Sequence, residues 1–512
     1  MIRSLIAAGI RTRNTVRESQ RRRALANVQA AQLQQFRFLL SRGRHTAWGR
    51  HHGYEKVRTP AEFQVATPLS DYLSMAPWWK RYFDGERDVT WPLRPPYMAQ
   101  TSGTTAGDKF IPVSPEMMAS NKRAALDIFT LFSRRGKALC DRIFHGQQLM
   151  LGGSTSLEAR GGGVKVGDLS AIATNSVFWP LSKFLLPSQQ VALISDWEEK
   201  LDRVASEAAH KDVRFVTGMP SWMKLLFDRV AQKRGVAPEE LTSKVWPNLT
   251  LMVHGGVNFA PYRPLFQQYW EKGGAPEFIE VYPASEGFIG IQSQAGDPGL
   301  EIIVDNGIFY EFVPLDRWGD ANAPRLMLHE VEKDVPYVVI LTTNAGLWSY
   351  DLGDVVRFVS LDPPKVLITG RHRHFINAFG ENVIGEHIEQ AMAHAQREVP
   401  CRVAEFTAGP RYSTPEAPVP GHDYVIEFEA PPADLDAFAR ALDAAMRQQS
   451  HDYDVKRIGD VGMTPLKVHP VARGTFVAWM KARGKLGGQN KVPRCANHRD
   501  YVEQLLQTRP EA

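Results

Sequence analysis

Short apolar runs alternate with helix-forming segments through the middle of the chain. Each run is long enough for a strand but too short for a helix, and turn residues separate it from the next segment. We predict strands at residues 148–152, 213–218, 249–253 and 278–282, and helices at 115–131, at 196–210, from 220 onward and at 261–272. Alternation of this kind predicts α/β architecture with parallel-rich sheets flanked by helices.

The pattern changes after residue 300, where short strands follow one another without helices between them. Such a series predicts a small antiparallel sheet or barrel. Helical and strand patterns return further on, with helices predicted at 386–397 and 433–449 and a strand at 424–429. We therefore predict an N-terminal domain over residues 1–370, a hinge over 371–377 and a smaller α+β C-terminal domain over 378–512.

The beginning of the chain is rich in arginine. Residues 14–44 have apolar side chains at helical spacing, which predicts one amphipathic helix. Lysine and arginine exceed aspartate and glutamate by 61 − 56 = 5, and much of this excess lies between Arg3 and Arg23. These arginines could form a solvated helix face or a surface that touches a membrane or an acidic partner. No base-reading motif accompanies them, so we predict no nucleic-acid partner.

The cysteines and the lengths of the apolar runs indicate the cellular compartment. The three cysteines, Cys140, Cys401 and Cys495, are far apart and lack metal-ligand spacing, so neither a disulfide framework nor a zinc site is predicted. No stretch approaches the roughly 20 apolar residues of a membrane span. The short apolar run after Arg3 lacks a convincing cleavage site. We expect a cytoplasmic protein without stable membrane insertion.

A glycine- and threonine-rich segment, residues 99–114, carries the clearest chemical signal. It follows a stretch rich in proline and aromatic residues, 59–96, that we predict to be irregular. Residues 101–107 read TSGTTAG, and Lys109 follows them. Glycines let backbone N–H groups turn inward around an anion, while hydroxyls and a lysine add donors and positive charge. The spacing does not fit a Walker A motif, so the segment is either a different phosphate-binding loop or a surface turn.

Three later segments also place polar groups at strand ends. Residues 282–287, with the sequence YPASEG, follow an apolar strand and bring together a ring, a hydroxyl and a carboxylate. Residues 350–354, YDLGD, place an acid at a strand, where a fixed carboxylate can accept hydrogen bonds from a ribose diol. Residues 370–389 begin with Gly370 and Arg371 and end in an acidic helical stretch. Each segment alone is a weak signal.

Together and in this order, the four segments resemble adenylate-forming enzymes, the superfamily of acyl-CoA synthetases, luciferases and peptide-synthetase adenylation domains. The sequence is more similar to the auxin-responsive promoter (GH-three) family of acyl-acid amido synthetases. Residues 252–256 and 488–495 resemble segments of that family too, and the likeness spans roughly residues 30–500. Two features depart from the family pattern. Asp351 stands where an arginine is common, and residues 371–389 look more like the general adenylate-forming hinge.

The resemblance implies a role for each matching residue. The loop and its lysine would hold the phosphates of ATP: Thr101, Ser102, Gly103, Thr104, Thr105, Gly107 and Lys109. Tyr282 would stack on adenine, and Ser285 would lie near the phosphate. Asp354 would bind the ribose hydroxyls, with Arg371 beside it. Glu286 would hold Mg²⁺. His254, Gly255 and Gly256 would line the acyl pocket. Lys491 would be the catalytic lysine of a mobile C-terminal domain, with Lys481, Lys485 and Arg494 as neighbouring alternatives.

The resemblance also implies a reaction. A small carboxylic acid would react with ATP and Mg²⁺ to give an acyl-adenylate and pyrophosphate, and an amino acid or other amine would then displace AMP. We predict a monomeric ATP-dependent acid–amino acid ligase of this kind. An acyl-CoA ligase that uses the same first step is an alternative, and a catalytically silent binding module of the same fold is another.

Overall fold

A computed structural model of the protein describes most of the chain. The described residues are 2–101, 109–152, 157–175, 183–194, 196–256, 259, 263–371, 375–381, 383–483 and 492–509. The predicted α/β class is confirmed, with large and small sheets covered by helices. No helix in these ranges is long and apolar enough to cross a membrane.

The helices in this part of the chain vary from one short turn to seven turns. They are α1 Ile2–Ala26, α2 Val28–Gly43, α3 Ala47–His51, α4 Pro60–Ala66, α5 Tyr72–Phe83, α6 Pro115–Phe132, α7 Lys137–Ile143, α8 Leu169–Asn175, α9 Gln189–Ala192, α10 Trp197–Ala208, α11 Pro220–Arg234, α12 Arg263–Gln267, α13 Gly385–Glu398, α14 Leu435–Gln449, α15 His451–Arg457, α16 Thr475–Ala482 and α17 Asp500–Gln507.

The strands include all those predicted between residues 148 and 282. They are β1 Tyr97–Thr101, β2 Lys109–Val113, β3 Gln147–Met150, β4 Glu158–Ala159, β5 Lys165–Gly167, β6 Leu185–Leu186, β7 Val213–Gly218, β8 Leu251–Gly255, β9 Glu277–Ala284, β10 Gly287–Ile291, β11 Leu300–Ile302, β12 Ile308–Pro314, β13 Leu326–Met327, β14 Pro336–Thr343, β15 Leu347–Leu361, β16 Pro364–Arg371, β17 Phe375–Ile376, β18 Val383–Ile384, β19 Arg402–Arg411, β20 Gly421–Ala430 and β21 Lys467–Val471.

One sheet of twelve described strands dominates the first part of the chain, in the order β13-β12-β14-β15-β16-β11-β10-β9-β8-β7-β3-β6. Strands β6, β3, β7, β8 and β9 pair in parallel, whereas the pairs from β9 to β13 are antiparallel. The antiparallel strands that the sequence predicts are therefore present, but they extend the parallel sheet and do not form a separate one. A four-stranded sheet, β2-β1-β5-β4, lies beside it.

The arginine-rich beginning of the chain forms a helix on which two of the arginines, Arg17 and Arg21, are buried. The predicted single helix over 14–44 is two helices, because Asn27 leaves helical geometry and its side chain caps α2. On α1, Arg17 donates to Asp127 of α6 at 2.9 Å and to Asp305 at 2.6 and 2.8 Å. Arg21 pairs with Glu301 of β11.

These ion pairs are buried. Asp127 has no exposed surface, and Arg17 and Arg21 are 5% and 3% exposed. Although burial alone would lower the pKa of the Arg17 guanidinium, its bonds to Asp305 and Asp127 raise that pKa above its ordinary value. Neither the solvated face nor the membrane or partner surface considered for this segment describes these two arginines, which instead fasten α1 to α6 and the large sheet.

The stretch predicted to be irregular, 59–96, contains two capped helices. Thr59 and Glu62 form a capping box at the start of α4, with Pro60 in the first helical position, where its missing N–H costs nothing. Asp71 and Ser74 form a second box at the start of α5. The prolines begin or interrupt helices here, and the prediction of irregular structure was wrong for both segments.

The region after residue 375 builds its own small sheet, β19-β20-β21. The predicted helices 386–397 and 433–449 correspond to α13 and α14, which pack against each other. Side chains of this region, such as Phe379 and Ile388, share one hydrophobic cluster with Met223 and Leu226 of α11. The C-terminal region (residues 378–509) is thus packed directly on the helices that cover the parallel strands.

Candidate functional site

The predicted phosphate loop connects two antiparallel strands. Strands β1 and β2 pair so that Thr101 lies opposite Lys109, which places the backbone of both residues at the base of the loop. Ser102, Gly103, Thr104, Thr105 and Gly107 lie outside the described residues, and their roles remain predictions. The hairpin fixes where the loop leaves and re-enters the sheet.

Lys109 is held by an aromatic residue that the sequence interpretation did not single out. The Lys109 ammonium lies 5.4 Å from the centre of the Tyr72 ring, and the Tyr72 hydroxyl accepts the Phe110 N–H at 3.2 Å. The Tyr72 ring also packs on Trp79, 5.9 Å away, and Trp79 packs on Tyr350, 6.1 Å away. Helix α5 therefore connects the base of the loop to strand β15.

The second motif forms a tight hairpin between β9 and β10. Ala284 pairs with Gly287, so Ser285 and Glu286 are the two residues of the turn. Both are half-buried. A two-residue turn holds its side chains in a fixed direction at the strand end, which suits residues that must meet a ligand.

The second and third motifs meet through a short hydrogen bond. The Tyr282 hydroxyl donates to Oδ2 of Asp354 at 2.5 Å, across 72 residues of sequence. In the adjacent strand pair, Asp354 lies directly opposite Arg371. Tyr282 is 5% exposed and Asp354 8% exposed. The Tyr282 hydroxyl therefore orients the Asp354 carboxylate, the group predicted to bind the ribose. Stacking of the Tyr282 ring on adenine stays a prediction.

Asp351, the residue that departs from the family pattern, also has a local structural role. Its Oδ1 accepts the Gly353 N–H at 2.8 Å, and Gly353 has a φ of 88°. A side chain that bonds the backbone two residues later stabilises a turn, and glycine accepts the positive φ without strain. This bend in β15 leads directly into Asp354.

Of the three residues predicted to line the acyl pocket, His254 and Gly255 end strand β8, and Gly256 follows it. His254 is 3% exposed and stacks on Phe259, with ring centres 3.9 Å apart. Burial lowers the pKa of His254 to about 3, and the charge of Arg263 acts in the same direction. A Cβ on Gly255 would lie 2.4 Å from the Val281 carbonyl oxygen. The histidine is therefore neutral, and Gly255 allows close approach of β9.

A half-buried carboxyl lies beside this histidine and was missed by the sequence interpretation. In the parallel pairing of β8 and β9, Glu280 is opposite His254. Burial raises the pKa of Glu280 to about 7, against the opposing effect of Arg263. No local sequence signal marks Glu280, because its environment comes from the neighbouring strand.

The predicted C-terminal lysine, Lys491, and its alternative Lys485 lie outside the described residues. The segment that follows Lys491 is firmly placed, since the Thr407 hydroxyl donates to the Pro493 carbonyl at 2.6 Å. The Arg494 guanidinium pairs with Glu405 and, at 3.0 Å, with Glu389. Arg494 is thus engaged within the C-terminal region, which weighs against it as the alternative to Lys491.

The residues available for a metal ion are few. Within the described ranges, no group of three or more histidine, cysteine or acidic side chains could enclose a metal. Mg²⁺ in nucleotide-dependent enzymes is usually held by one or two carboxylates together with phosphate oxygens and water. A single carboxylate on the β9–β10 turn, as at Glu286, fits that mode.

Comparison with known protein families covers most of the chain. The model of the GH3 family N-terminal domain matches residues 17–201 and 163–273, the central-domain model matches 301–371 and the C-terminal-domain model matches 386–500. The N-terminal match alone includes half of the chain. The predicted resemblance to this family is confirmed.

Related proteins agree with these matches. The probable indole-3-acetic acid-amido synthetase GH3.1 of Arabidopsis thaliana is 28% identical over 298 residues, 52% of this chain and 46% of that protein. The synthetase GH3.8 of Oryza sativa subsp. indica is 28% identical over 289 residues, with the same shares. The chain spans about half the length of these relatives.

A solved structure extends the likeness to the fold of the whole chain. The GH3.15 acyl acid amido synthetase superposes with a TM-score of 0.61 at 17% identity, over 96% of this chain and 95% of that one. The fold is therefore shared over nearly the full length. On the family matches, this chain belongs to the GH3 family.

Proposed function

We propose that the protein is an ATP-dependent acyl-acid amido synthetase, which joins a small carboxylic acid to an amino acid or another amine through an acyl-adenylate. The observation that carries the proposal is the Tyr282–Asp354 hydrogen bond. It brings together the second and third motif segments, and the pairing of β15 with β16 sets Asp354 opposite Arg371. Membership of the GH3 family supports the same reaction.

In the first step, an oxygen of the substrate carboxylate attacks the α-phosphorus of ATP, and pyrophosphate leaves. The loop after Thr101 would hold the phosphates, and Lys109 at its base would supply positive charge to the phosphoryl oxygens. Asp354, oriented by Tyr282, would accept hydrogen bonds from the ribose hydroxyls. Arg371 on the facing strand would lie beside the same group.

Glu286 would hold Mg²⁺, and Ser285 beside it would face the α-phosphate. When bound, the ion would neutralise charge on the departing pyrophosphate. The half-buried hairpin turn supports this assignment because it fixes the direction of the carboxylate.

In the second step, the amine attacks the acyl carbon, and AMP leaves with one oxygen of the original carboxylate. We propose that the C-terminal region turns about residues 371–377 between the two steps, with Lys491 acting in the first. Turning would let one cleft serve two reactions while it excludes water from a hydrolysable adenylate. The acyl group would lie at the end of β8, beside His254, Gly255 and Gly256.

The test is pyrophosphate release from ATP and Mg²⁺ over a panel of carboxylic acids. The panel includes indole-3-acetic acid, which appears in the name of a related protein, and 2,4-DB, which is bound in a solved structure of similar fold. Each acid is assayed with and without a mixture of amino acids, and products are weighed by mass spectrometry. We expect acid-dependent release and the mass of an amide.

Two other outcomes would replace the proposal. A product that forms only when coenzyme A is the acceptor would make the protein an acyl-CoA ligase. Absence of release with every acid, from protein that still binds ATP, would indicate the silent binding module.

A further inference from the structure

A buried lysine of the C-terminal region faces the N-terminal part of the chain without a hydrogen-bond acceptor. Lys456 lies on α15 and is 4% exposed. Its Nζ atom is 3.8 Å from the centre of the Trp222 ring, in the first turn of α11. Among the residues that the structure describes, no oxygen or nitrogen atom accepts a hydrogen bond from this ammonium. Burying an ammonium group without a hydrogen-bond acceptor lowers the stability of the folded protein, so a functional role for Lys456 is worth considering.

The position of Lys456 relates it to the proposed reaction cleft. Met219 directly follows strand β7, and its sulfur lies 3.9 Å from where a Cβ would stand on Gly256, just past the end of β8. A Cβ on Gly380 would lie 2.8 Å from the same sulfur and 3.4 Å from the Lys456 Nζ. In α/β proteins, ligands bind at the carboxyl ends of parallel strands. The amine of Lys456 is therefore close to that edge, beside the segment proposed to turn.

Acidic groups from three elements surround the amine at longer range. Asp452 lies on the same helix, Glu381 on the segment after the proposed hinge, and Asp168 just before α8. Burial lowers the pKa of Lys456 to about 7, and these three carboxylates oppose the shift. Lys200, a second buried lysine, is also influenced by Asp168. At neutral pH the Lys456 amine is thus able to exist without its proton.

We propose that Lys456 is a catalytic residue of the transfer step, in which it accepts a proton from the ammonium group of the acyl acceptor. This inference rests on the proposed amido synthetase function. The acceptor R–NH₃⁺ and the neutral Lys456 amine give R–NH₂ and the Lys456 ammonium. The lone pair of the free amine then attacks the acyl carbon, and AMP leaves with the bonding electrons of the acyl–oxygen bond. The second proton of the attacking nitrogen passes to the departing phosphate of AMP or to water.

The chemistry of the acceptor explains the need for such a group. An amino acid at neutral pH carries its amine almost wholly as ammonium, which has no lone pair for attack. A buried lysine whose pKa lies near the working pH is well suited to take that proton. The carboxylates around Lys456 attract a cationic acceptor to the same place. Trp222 covers the amine in the present arrangement.

The experiment separates the two half-reactions in the full-length protein. Lys456→Met removes the base with similar side-chain length, and Lys456→Arg keeps a positive charge that cannot be lost. Transfer is followed from preformed acyl-adenylate to an amino acid and, separately, to hydroxylamine, which is largely unprotonated at neutral pH. We expect both variants to keep acid-dependent pyrophosphate release and to lose roughly 100- to 10 000-fold in transfer to the amino acid. Transfer to hydroxylamine should change little.

Lys200→Met is the matched control. Lys200 is also buried, and burial lowers its pKa to about 8, but its ammonium donates to the Ala192 carbonyl at 2.9 Å. With each acceptor, this variant should transfer the acyl group at about the same rate as the unchanged protein. Equal losses with amino acid and hydroxylamine in the Lys456 variants would overturn the proposal, since they would indicate a structural role.

The unchanged protein gives a readout that does not depend on any variant folding. Single-turnover transfer to the amino acid should rise as pH increases to about 7, the pKa of Lys456, and level off above it, whereas a rate set only by the free-amine fraction of the acceptor would keep rising. Transfer to hydroxylamine should show no such break. The same pH dependence with both acceptors would overturn the assignment of Lys456 and leave the proposed function intact. No acid-dependent pyrophosphate release from the unchanged protein would overturn both.

Discussion

Two sets of buried positive charge lie at opposite ends of the chain and are treated differently by the fold. On α1, Arg17 is bonded to Asp127 and Asp305, and Arg21 is paired with Glu301. On α15, Lys456 is equally buried but rests on the face of an aromatic ring, without an acceptor in the described structure. The first set joins a terminal helix to the body of the protein. The second leaves a titratable amine at the contact between the N-terminal and C-terminal parts.

The comparison shows that burial alone does not reveal the role of a charge. A guanidinium with bidentate carboxylate partners, as at Arg17, is fixed in both position and protonation state, so it serves structure. An ammonium without such partners has a depressed pKa and is free to change protonation state. Three substitutions test this contrast, beginning with the largest expected effect.

Breaking the arginine cluster should cost the most. Asp127→Ala removes the carboxylate that accepts from Arg13 at 2.7 Å and from Arg17 at 2.9 Å, and that lies 3.7 Å from Arg21. Because it leaves buried charges uncompensated, we expect the free energy of unfolding to fall by about 3–5 kcal/mol. Denaturant titration with a domain-specific probe on α1 measures the loss.

The control is an exposed ion pair on the same helix. Arg22 pairs with Glu18 at 2.8 Å, and its side chain is 75% exposed. Arg22→Ala should therefore change stability by no more than about 1 kcal/mol. Equal effects of Asp127→Ala and Arg22→Ala would contradict the structural role of the buried cluster.

Removing the unpaired charge should have the opposite sign. Lys456→Met replaces a buried ammonium without acceptors by an apolar side chain, and we expect a gain in the free energy of unfolding of about 1–4 kcal/mol. Burial holds the pKa of Lys456 at about 7 in the folded protein, against 10.5 as its ordinary value. The unfolded chain thus binds more protons between these values, so the stability of the unchanged protein rises with pH across that window.

The difference in free energy of unfolding between Lys456→Met and the unchanged protein should therefore be largest below pH 7. It should decrease as pH rises toward 10.5, the ordinary pKa of lysine. Thermal unfolding of both proteins over this pH range measures it. A loss of stability in Lys456→Met at pH 6 would show that the lysine is paired after all.

The smallest effect concerns a carboxylate held by a neutral partner. Asp354 accepts a hydrogen bond from the Tyr282 hydroxyl and lies opposite Arg371. Asp354→Asn keeps the shape but removes charge-assisted bonds to the ribose, so we expect ATP binding to weaken by about 1–3 kcal/mol. Calorimetric titration with ATP gives the affinity. Tyr282→Phe is the reference, because it removes only the hydrogen bond that orients Asp354. If Asp354→Asn leaves the affinity for ATP unaltered, Asp354 is not part of the nucleotide site.

Much of the fold could be predicted from local pattern. Strand Val213–Gly218 was predicted with its observed bounds, and helix Pro115–Phe132 to within one residue, because a run of apolar residues and a proline at a helix start are local signals. Helices α4 and α5 were missed although Thr59 and Glu62 stand at capping-box spacing. The many prolines of this stretch favoured the prediction of irregular structure over that of capped helices.

Features that depend on distant pairing could not be predicted. The antiparallel strands continue the parallel sheet only because β11 pairs with both β10 and β16, and no local pattern fixes such partners. The motifs located Asp354 and Glu286 along the chain, but the Tyr282–Asp354 bond needed the fold. Lys456 stands in an ordinary polar helix by sequence, and it becomes unusual only where Trp222 covers it.

The most direct test of the central claim follows the oxygen atoms of the acid. The acid identified in the panel is labelled with heavy oxygen in its carboxylate, and the protein is supplied with ATP, Mg²⁺ and the accepting amine. If the acid is activated as an acyl-adenylate, AMP must gain one labelled oxygen and the amide must keep the other. Unlabelled AMP beside a labelled amide would show that the carboxylate never joined the α-phosphate, and the account of an adenylating amido synthetase would be wrong.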